Sequence, residues 1–205
     1  IARCSRYGRR LLEAQPQLNE AAAELLGQPF TRAAMQAFLA EPPCTDEDGL
    51  HRRMRQLRQR VWLATTARDL AGSADLAEVT ATWSMLAEVC IATALDFHHA
   101  ALAARHGEPR DEKGQPLQMV VVGMGKLGGF ELNVSSDIDL IYLYPAEGDT
   151  AADGAEVKSI SNHEFFVRLG RKLTAALGEA TADGFVFRVD LRLRPWGDSG
   201  PFAMG

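Results

Sequence analysis

The sequence is short of several things, and each shortage excludes a class of protein. Its 205 residues hold three cysteines, Cys4, Cys44 and Cys90, with no Cys-x-x-Cys or paired-ligand spacing. That odd, scattered set is no disulfide framework and no cysteine zinc cluster; the thiols read as reduced ones in a cytoplasmic protein. Positive charge is not in excess, because 22 Lys and Arg stand against 27 Asp and Glu, for a formal net charge of -5. General binding to nucleic acid or to an anionic membrane is therefore not expected. No apolar run approaches the roughly 20 residues that a membrane-spanning helix needs. Internal repeats and low-complexity tracts are missing too. What is left, 46% hydrophobic and 24% charged residues, suits a globular domain with a sizeable core. The chain opens on Ile1 and stops at Gly205 just after a motif-rich stretch, so it reads as a piece of a longer protein.

The pattern along the chain predicts an α+β protein. Residues 1–110 read as a helical region and 111–205 as a separate mixed domain, with the charged, Pro-containing stretch 108–116 between them. After capping residues at Thr45 to Asp48, the apolar positions Leu50, Met54, Leu57, Val61 and Ala64 recur at helical steps. A longer stripe follows Ser73, from Leu76 through Trp83, Leu86, Cys90 and Ala94 to Ala101, and Gly107 with Pro109 closes it. Arg52, Arg53, Arg55, Arg58, Arg60 and Arg68 read as a solvated helix face, with a partner-docking face as the alternative. The neighbours His98 and His99 point about 100° apart and read as structural.

Beyond residue 116 the sequence predicts a buried strand over 117–122, a short helical turn over 126–133 and a second strand over 138–144. A polar loop over 149–159, a helix over 162–178 and a third strand over 185–193 complete the order.

Gly123-Met-Gly-Lys-Leu-Gly128 satisfies the dinucleotide fingerprint G-x-G-x-x-G, which brings a Rossmann oxidoreductase into consideration. The spacing speaks against it. Asp137 arrives after only Gly129 to Ser136, too little for the crossover helix of a parallel βαβ unit. A P-loop fails as well, because no Gly-Lys-Ser/Thr stands at the required position.

The acids explain the stretch better. Alternate side chains of a strand share a face, so Asp137 and Asp139 project together while Ile138, Leu140, Tyr142 and Tyr144 take the other side. Two adjacent carboxylates repel each other, and a divalent cation relieves that repulsion. All-oxygen ligands favour Mg²⁺ or Mn²⁺. On the third strand, alternation sets Arg188, Asp190, Arg192 and Arg194 on one face and Phe187, Val189, Leu191 and Leu193 on the other. A carboxylate among guanidinium groups suits a site for both metal and phosphate. Gly123, Gly125, Gly128 and Gly129 allow close backbone approach, the turn after them offers N–H groups to an anion, and Lys126 adds a charge.

A glycine-rich turn followed by Ser-Asp-x-Asp, with a later third Asp, resembles the DNA polymerase β-like nucleotidyltransferase superfamily. Two longer stretches are more specific: GMGKLGGFELNVSSDIDL from Gly123 to Leu140, and RVDLRLRPWGDSGP from Arg188 to Pro201. Both resemble the bifunctional glutamine synthetase adenylyltransferase/adenylyl-removing enzymes, over about residues 50–205. Gly-Met-Gly-Lys, Asn133 with Ser135 and Ser136, Arg-Val-Asp and Ser199-Gly-Pro201 are similar to the N-terminal, AMP-removing copy of that family's two catalytic domains.

The resemblance implies a polymerase β-like sheet, with Asp137, Asp139 and Asp190 as catalytic metal ligands. It also implies nucleotide or phosphate contacts from the glycine turn, Ser136 and the arginines. The implied reaction is phosphorolysis of adenylyl-tyrosine on glutamine synthetase by orthophosphate, releasing an adenine nucleotide, with a PII signalling protein as regulator of the full-length enzyme. The ATP-dependent adding half of the same enzyme, and a nucleotide-binding regulatory module without turnover, are the alternatives.

Overall fold

The computed structural model describes residues 4–18, 27–151 and 158–205. Helices α1 (Arg6–Ala14), α2 (Arg32–Ala40), α3 (Glu47–Leu70) and α4 (Leu76–His106) come first. There follow β1 (Glu108–Pro109), β2 (Val120–Met124), the single turn α5 (Gly125–Gly128), β3 (Ile138–Leu143), β4 (Thr150–Ala151), α6 (Asn162–Gly178) and β5 (Val189–Asp190). A 3₁₀ turn at Gly197–Ser199 precedes the last residues. The mixed α+β reading therefore holds.

Local chemistry sets the helix ends. The Asp46 side chain accepts from the Gly49 amide at 2.7 Å, Asp75 from that of Glu78 at 2.8 Å, and Ser161 from that of Glu164 at 3.1 Å. Each satisfies a first-turn N–H that has no partner inside the helix. Helix α4 ends where Gly107 takes a φ of 83°. A Cβ there would lie 1.8 Å from the Ala151 carbonyl oxygen, so β4 packs directly on the glycine backbone.

By length and composition α4 could cross a membrane. This corrects the expectation that nothing in the chain reaches that mark. Its apolar stripe is occupied by packing: Trp83, Leu86, Cys90 and Ala94 are fully buried, and α2, α3 and α6 lie against the helix. One hydrophobic core runs from α3 and α4 through Phe165, Phe166, Leu169 and Leu173 of α6 to Ile138, Leu140 and Tyr142 of β3.

The main sheet has the order β2–β3–β5. Strand β3 runs antiparallel to β2 and parallel to β5. The antiparallel return straight after the glycine turn excludes a Rossmann unit, whose first two strands are parallel. Past β3, Tyr144 N donates to Met204 O at 2.7 Å and Met204 N to Tyr142 O at 3.1 Å, so the chain's last residues rejoin the sheet edge.

Several local expectations need correction. The first strand lies at 120–124 rather than 117–122, and it is a half-exposed sheet edge, with Val120 53% exposed. The helical turn is a single turn, Gly125–Gly128, rather than a segment reaching 133. The third strand is two residues long and not nine: beyond Asp190 the chain turns, with Arg194 N on Leu191 O and Gly197 N on Arg194 O. Leu193, expected on a buried face, is 53% exposed. Of the expected polar loop, 152–157 lie outside the described residues, while Thr150 and Ala151 pair with β1.

The arginines of α3 form no solvated face. Arg55 is 1% exposed and Arg68 is buried. Arg58 lies over the rings of Trp83 and Phe185, Arg53 and Arg60 both lie over Phe38, and only Arg52 is exposed.

Candidate active site

The register of the sheet builds the site. Strand β3 buries Ile138, Leu140 and Tyr142 and turns Asp139 to the opposite face. Asp139 is paired with Met124 across the antiparallel side and with Asp190 across the parallel side. Asp137 immediately precedes the strand, where Ile138 N donates to Arg188 O at 2.9 Å. The three acids therefore line one cleft of about 570 Å³, together with Gly125, Lys126, Asn133, Ser135, Ser136, Arg188 and Arg192.

Each carboxylate has its own electrostatic setting. Asp190 accepts from the Arg192 backbone amide at 2.8 Å and from its guanidinium at 2.9 Å. These bonds hold the Asp190 carboxyl below the ordinary carboxylate range. The backbone bond is also the reason that the strand ends: an Asp accepting from the amide two residues on makes a turn. Asp137 pairs with Arg188, whose Nη2 also donates to Ser135 O at 2.8 Å. Asp139 accepts no hydrogen bond among the described residues. Desolvation, then the like charges of Asp190 and Asp137, push its carboxyl upward, and the charge of Arg192 only partly opposes them.

The structure thus joins Asp137, Asp139, Asp190, Gly125, Lys126, Ser136, Arg188 and Arg192, but not every residue singled out from the sequence. Gly123 and Gly128 line a different recess, beside α4, and neither Gly129 nor Arg194 lines the cleft. A Cβ on Gly128 would lie 2.6 Å from the Gly123 carbonyl oxygen, so these two glycines permit tight turn packing rather than a ligand contact. Arg194 is drawn off by the turn after Asp190, and its Nη1 donates to Leu191 O at 2.8 Å. Asn133 and Ser135, which stood only within the family-like motif, are cleft residues.

Gly125 has a steric reason of its own. Its φ is +55°, and an added Cβ would come within 2.7 Å of Asp139 Oδ2. Gly125→Ala is expected to cost about 1–2 kcal/mol of stability through the left-handed backbone and the contact. It should also push the Asp139 carboxylate aside. Thermal melting and Mn²⁺ titration of the variant check both effects, and unchanged Mn²⁺ affinity would show that Gly125 does not shape the carboxylates for a cation.

The approach to the acids hangs on α4. The amide of buried Leu132 donates to Ser84 Oγ at 3.1 Å, which fixes the loop between the glycine turn and Asp137. Ser84→Ala leaves that buried amide without its acceptor, and a loss of about 1–2 kcal/mol is expected in denaturant unfolding.

The donor set fits a hard divalent cation. Three carboxylates and neighbouring side-chain oxygens share one cleft, and Asp139 carries repulsion that a cation would cancel. A second, largely apolar cavity of about 620 Å³ abuts the first, sharing Ser135 and Arg188 and lined by Leu11, Trp62 and Phe185.

Comparison with known proteins places the chain in one family. The family model of glutamate-ammonia ligase adenylyltransferase matches residues 1–205. A bifunctional glutamine synthetase adenylyltransferase/adenylyl-removing enzyme of Nitrosomonas eutropha is 53% identical over 205 residues, covering 98% of this chain and 22% of that protein. Its counterpart in Burkholderia mallei is 54% identical over 204 residues, covering 96% and 22%. That of Thioalkalivibrio sulfidiphilus is 54% identical over 159 residues, covering 78% and 16%. The chain thus spans about a fifth of the length of the curated relatives it matches.

Proposed function

The chain belongs to the glutamate-ammonia ligase adenylyltransferase family, and from that premise we propose that it carries the adenylyl-removing centre of such an enzyme. The reaction is deadenylylation of glutamine synthetase by phosphorolysis. An oxygen of orthophosphate forms a bond to the AMP phosphorus on adenylyl-tyrosine, the bond from phosphorus to the phenolic oxygen breaks, and the phenolate takes a proton from solvent. ADP and free tyrosine leave.

The observation that carries this reading is the meeting of Asp137, Asp139 and Asp190 with Arg188, Arg192 and Lys126 in one cleft. With Mg²⁺ or Mn²⁺ held by the three carboxylates, the site would offset charge on the phosphate oxygens and on the leaving phenolate. Arg192, whose side chain is 76% exposed, and Lys126 offer positive charge to the incoming orthophosphate. Arg188 bridges Asp137 to the Ser135 carbonyl and holds the edge of the cleft in position. No general base is needed, because orthophosphate is already an anion. The apolar cavity beyond Ser135 and Arg188 is where we seat the adenosine.

The Arg-Val-Asp and Ser-Gly-Pro stretches favour removal over addition, since they are similar to the N-terminal copy. Regulation of the full-length enzyme by a PII signalling protein belongs to the same proposal.

The test is incubation with adenylylated glutamine synthetase, orthophosphate and Mg²⁺, beside a second reaction with unmodified synthetase, ATP and Mg²⁺. ADP release matched by loss of the AMP group is expected. Transfer of AMP from ATP to the unmodified synthetase, without phosphorolysis, would assign the adding half instead. Tight nucleotide binding with neither reaction would leave a regulatory module.

A further inference from the structure

Away from the acidic cleft, α3 and α4 bring together Glu47, His51 and His98, and each offers a ligand atom within 4.8 Å of the other two. Glu47 and His51 stand one helical turn apart on α3, so both project from the same side. His98 faces them from α4, with its ring centroid 6.4 Å from that of His51.

The imidazoles lack the partners that buried polar groups normally have. His98 is completely buried and His51 nearly so. Among the described residues, neither His98 ring nitrogen has a hydrogen-bond partner, and nor does Nε2 of His51. Glu47 sits at the mouth of the group, half-exposed, with its Oε2 2.9 Å from the Lys172 ammonium of α6. Leaving three imidazole nitrogens unsatisfied inside a packed core is costly, and a bound cation would satisfy those it reached.

We propose that Glu47, His51 and His98 form a zinc-binding site that ties α3 to α4, separate from the carboxylate cleft. The donor set of two imidazoles and one carboxylate, spaced by one turn of one helix and completed from a second helix, is a set that suits zinc. Mg²⁺ is a poor occupant of two imidazoles, so the ion of the acidic cleft does not substitute here.

Protonation is already arranged for metal. Desolvation holds His98 down at about 4 although the Glu47 charge opposes it, and burial with the Arg55 charge lowers His51. Both rings are thus in the neutral, ligating form at pH 7. The hydrogen bond from Lys172 lowers Glu47, so its carboxylate is ionised as well. Lys172 holds Oε2 of that carboxylate in the metal-free protein, so its positive charge competes with zinc for Glu47.

This arrangement lets zinc binding be told apart from simple helix packing. Zn²⁺ alone is titrated into the metal-stripped chain in excess Mg²⁺, which occupies the acidic cleft, with a chromophoric chelator reporting the free ion. One zinc per chain is expected, with a raised melting temperature. Glu47→Gln, at the exposed mouth, should keep the metal-free fold and weaken zinc binding at least about 100-fold, beyond the loss typical of an outer partner. His98→Gln should weaken it similarly.

Lys172→Met removes the competitor and should tighten zinc binding by ~3-fold or more. If Glu47 and Lys172 form only a structural ion pair, the Gln and Met variants lose the same contact and shift metal-free melting alike, with no opposite movement of zinc affinity. Failure of the wild type to bind zinc, or binding unchanged by Glu47→Gln and His98→Gln, overturns the assignment. Neither outcome bears on the carboxylate cleft.

Discussion

Replacing Asp139 by Asn is expected to cut phosphorolysis by the whole enzyme on the order of 10³-fold while leaving the metal-free fold as stable as before, or slightly more so. The kinetic loss has the size that accompanies removal of a preorganised electrostatic group at a reacting centre. Asn keeps the shape and hydrogen-bonding capacity of Asp139 but not the negative charge that a hard cation needs.

The stability gain has a sign that can be worked out. Desolvation and the charges of Asp190 and Asp137 raise the folded-state pKa of Asp139. Its contribution to stability is therefore present at low pH and lost as pH rises through that raised value. The Asn variant escapes the loss, so its advantage should appear near neutral pH and vanish below about 3.9, where unfolded Asp is also protonated. Asp190 behaves in the opposite way. Its pKa is lowered by Arg192, so its contribution is present above about 3.9 and is lost as pH falls through the lowered value.

Melting curves across pH, with and without Mg²⁺, measure both parts. Mg²⁺ should stabilise the wild type far more than the variant. If Asp139 only capped a turn, Asn would serve as well and activity would survive. Retained phosphorolysis would therefore refute the site.

The largest loss of stability is expected from Arg55→Met. The Arg55 guanidinium lies in the core and donates to four backbone carbonyls: Gly184 at 2.7 Å, His51 at 2.9 Å, Ala176 at 3.3 Å, and Glu179. Three of those four belong to the end of α6 and the segment leading into β5, so Arg55 of α3 pins the route by which Asp190 reaches the sheet. Burial lowers its pKa, but an arginine still carries its charge at neutral pH.

Methionine would fill much of the volume and leave carbonyl oxygens without donors. The expected cost is about 3–4 kcal/mol, which for a chain of this size lowers the melting temperature by on the order of 10 °C. Arg52→Met, at the exposed arginine of the same helix, should shift stability by no more than about 0.5 kcal/mol. Equal effects from the two would show that Arg55 is not the pin that its contacts make it.

What could be read before any fold was known is what depends on near neighbours in the chain. Helix α6 spans Asn162–Gly178 as its periodicity predicts, because its cap and its apolar stripe are local features. Alternation alone placed Asp137 and Asp139 opposite Ile138, Leu140 and Tyr142, since the period of a strand is two wherever it lies. The same rule failed after Asp190. The carboxylate there binds the amide of Arg192, and a side-chain bond to nearby backbone competes directly with the extended ladder.

Tertiary structure decided the rest. The direction of β3 against β2, which separates this sheet from a dinucleotide fold, depends on which strand each edge meets and not on the six-residue glycine pattern. The arginines of α3 were legible as charge, but whether a charge faces water depends on what packs over it. In Arg55 three of the four carbonyls lie more than 100 residues further along the chain, with Ala176 121 positions away and Gly184 129. His51 and His98 gave no signal as a pair for the same reason: separate helices carry them, and only the packing of α3 on α4 brings their unsatisfied nitrogens together. The sequence by itself determined the helices, the alternation and the acids. Contacts between distant segments decided strand direction, the burial of charge and the second cluster of ligands, because their energies come from neighbours that the local pattern does not contain.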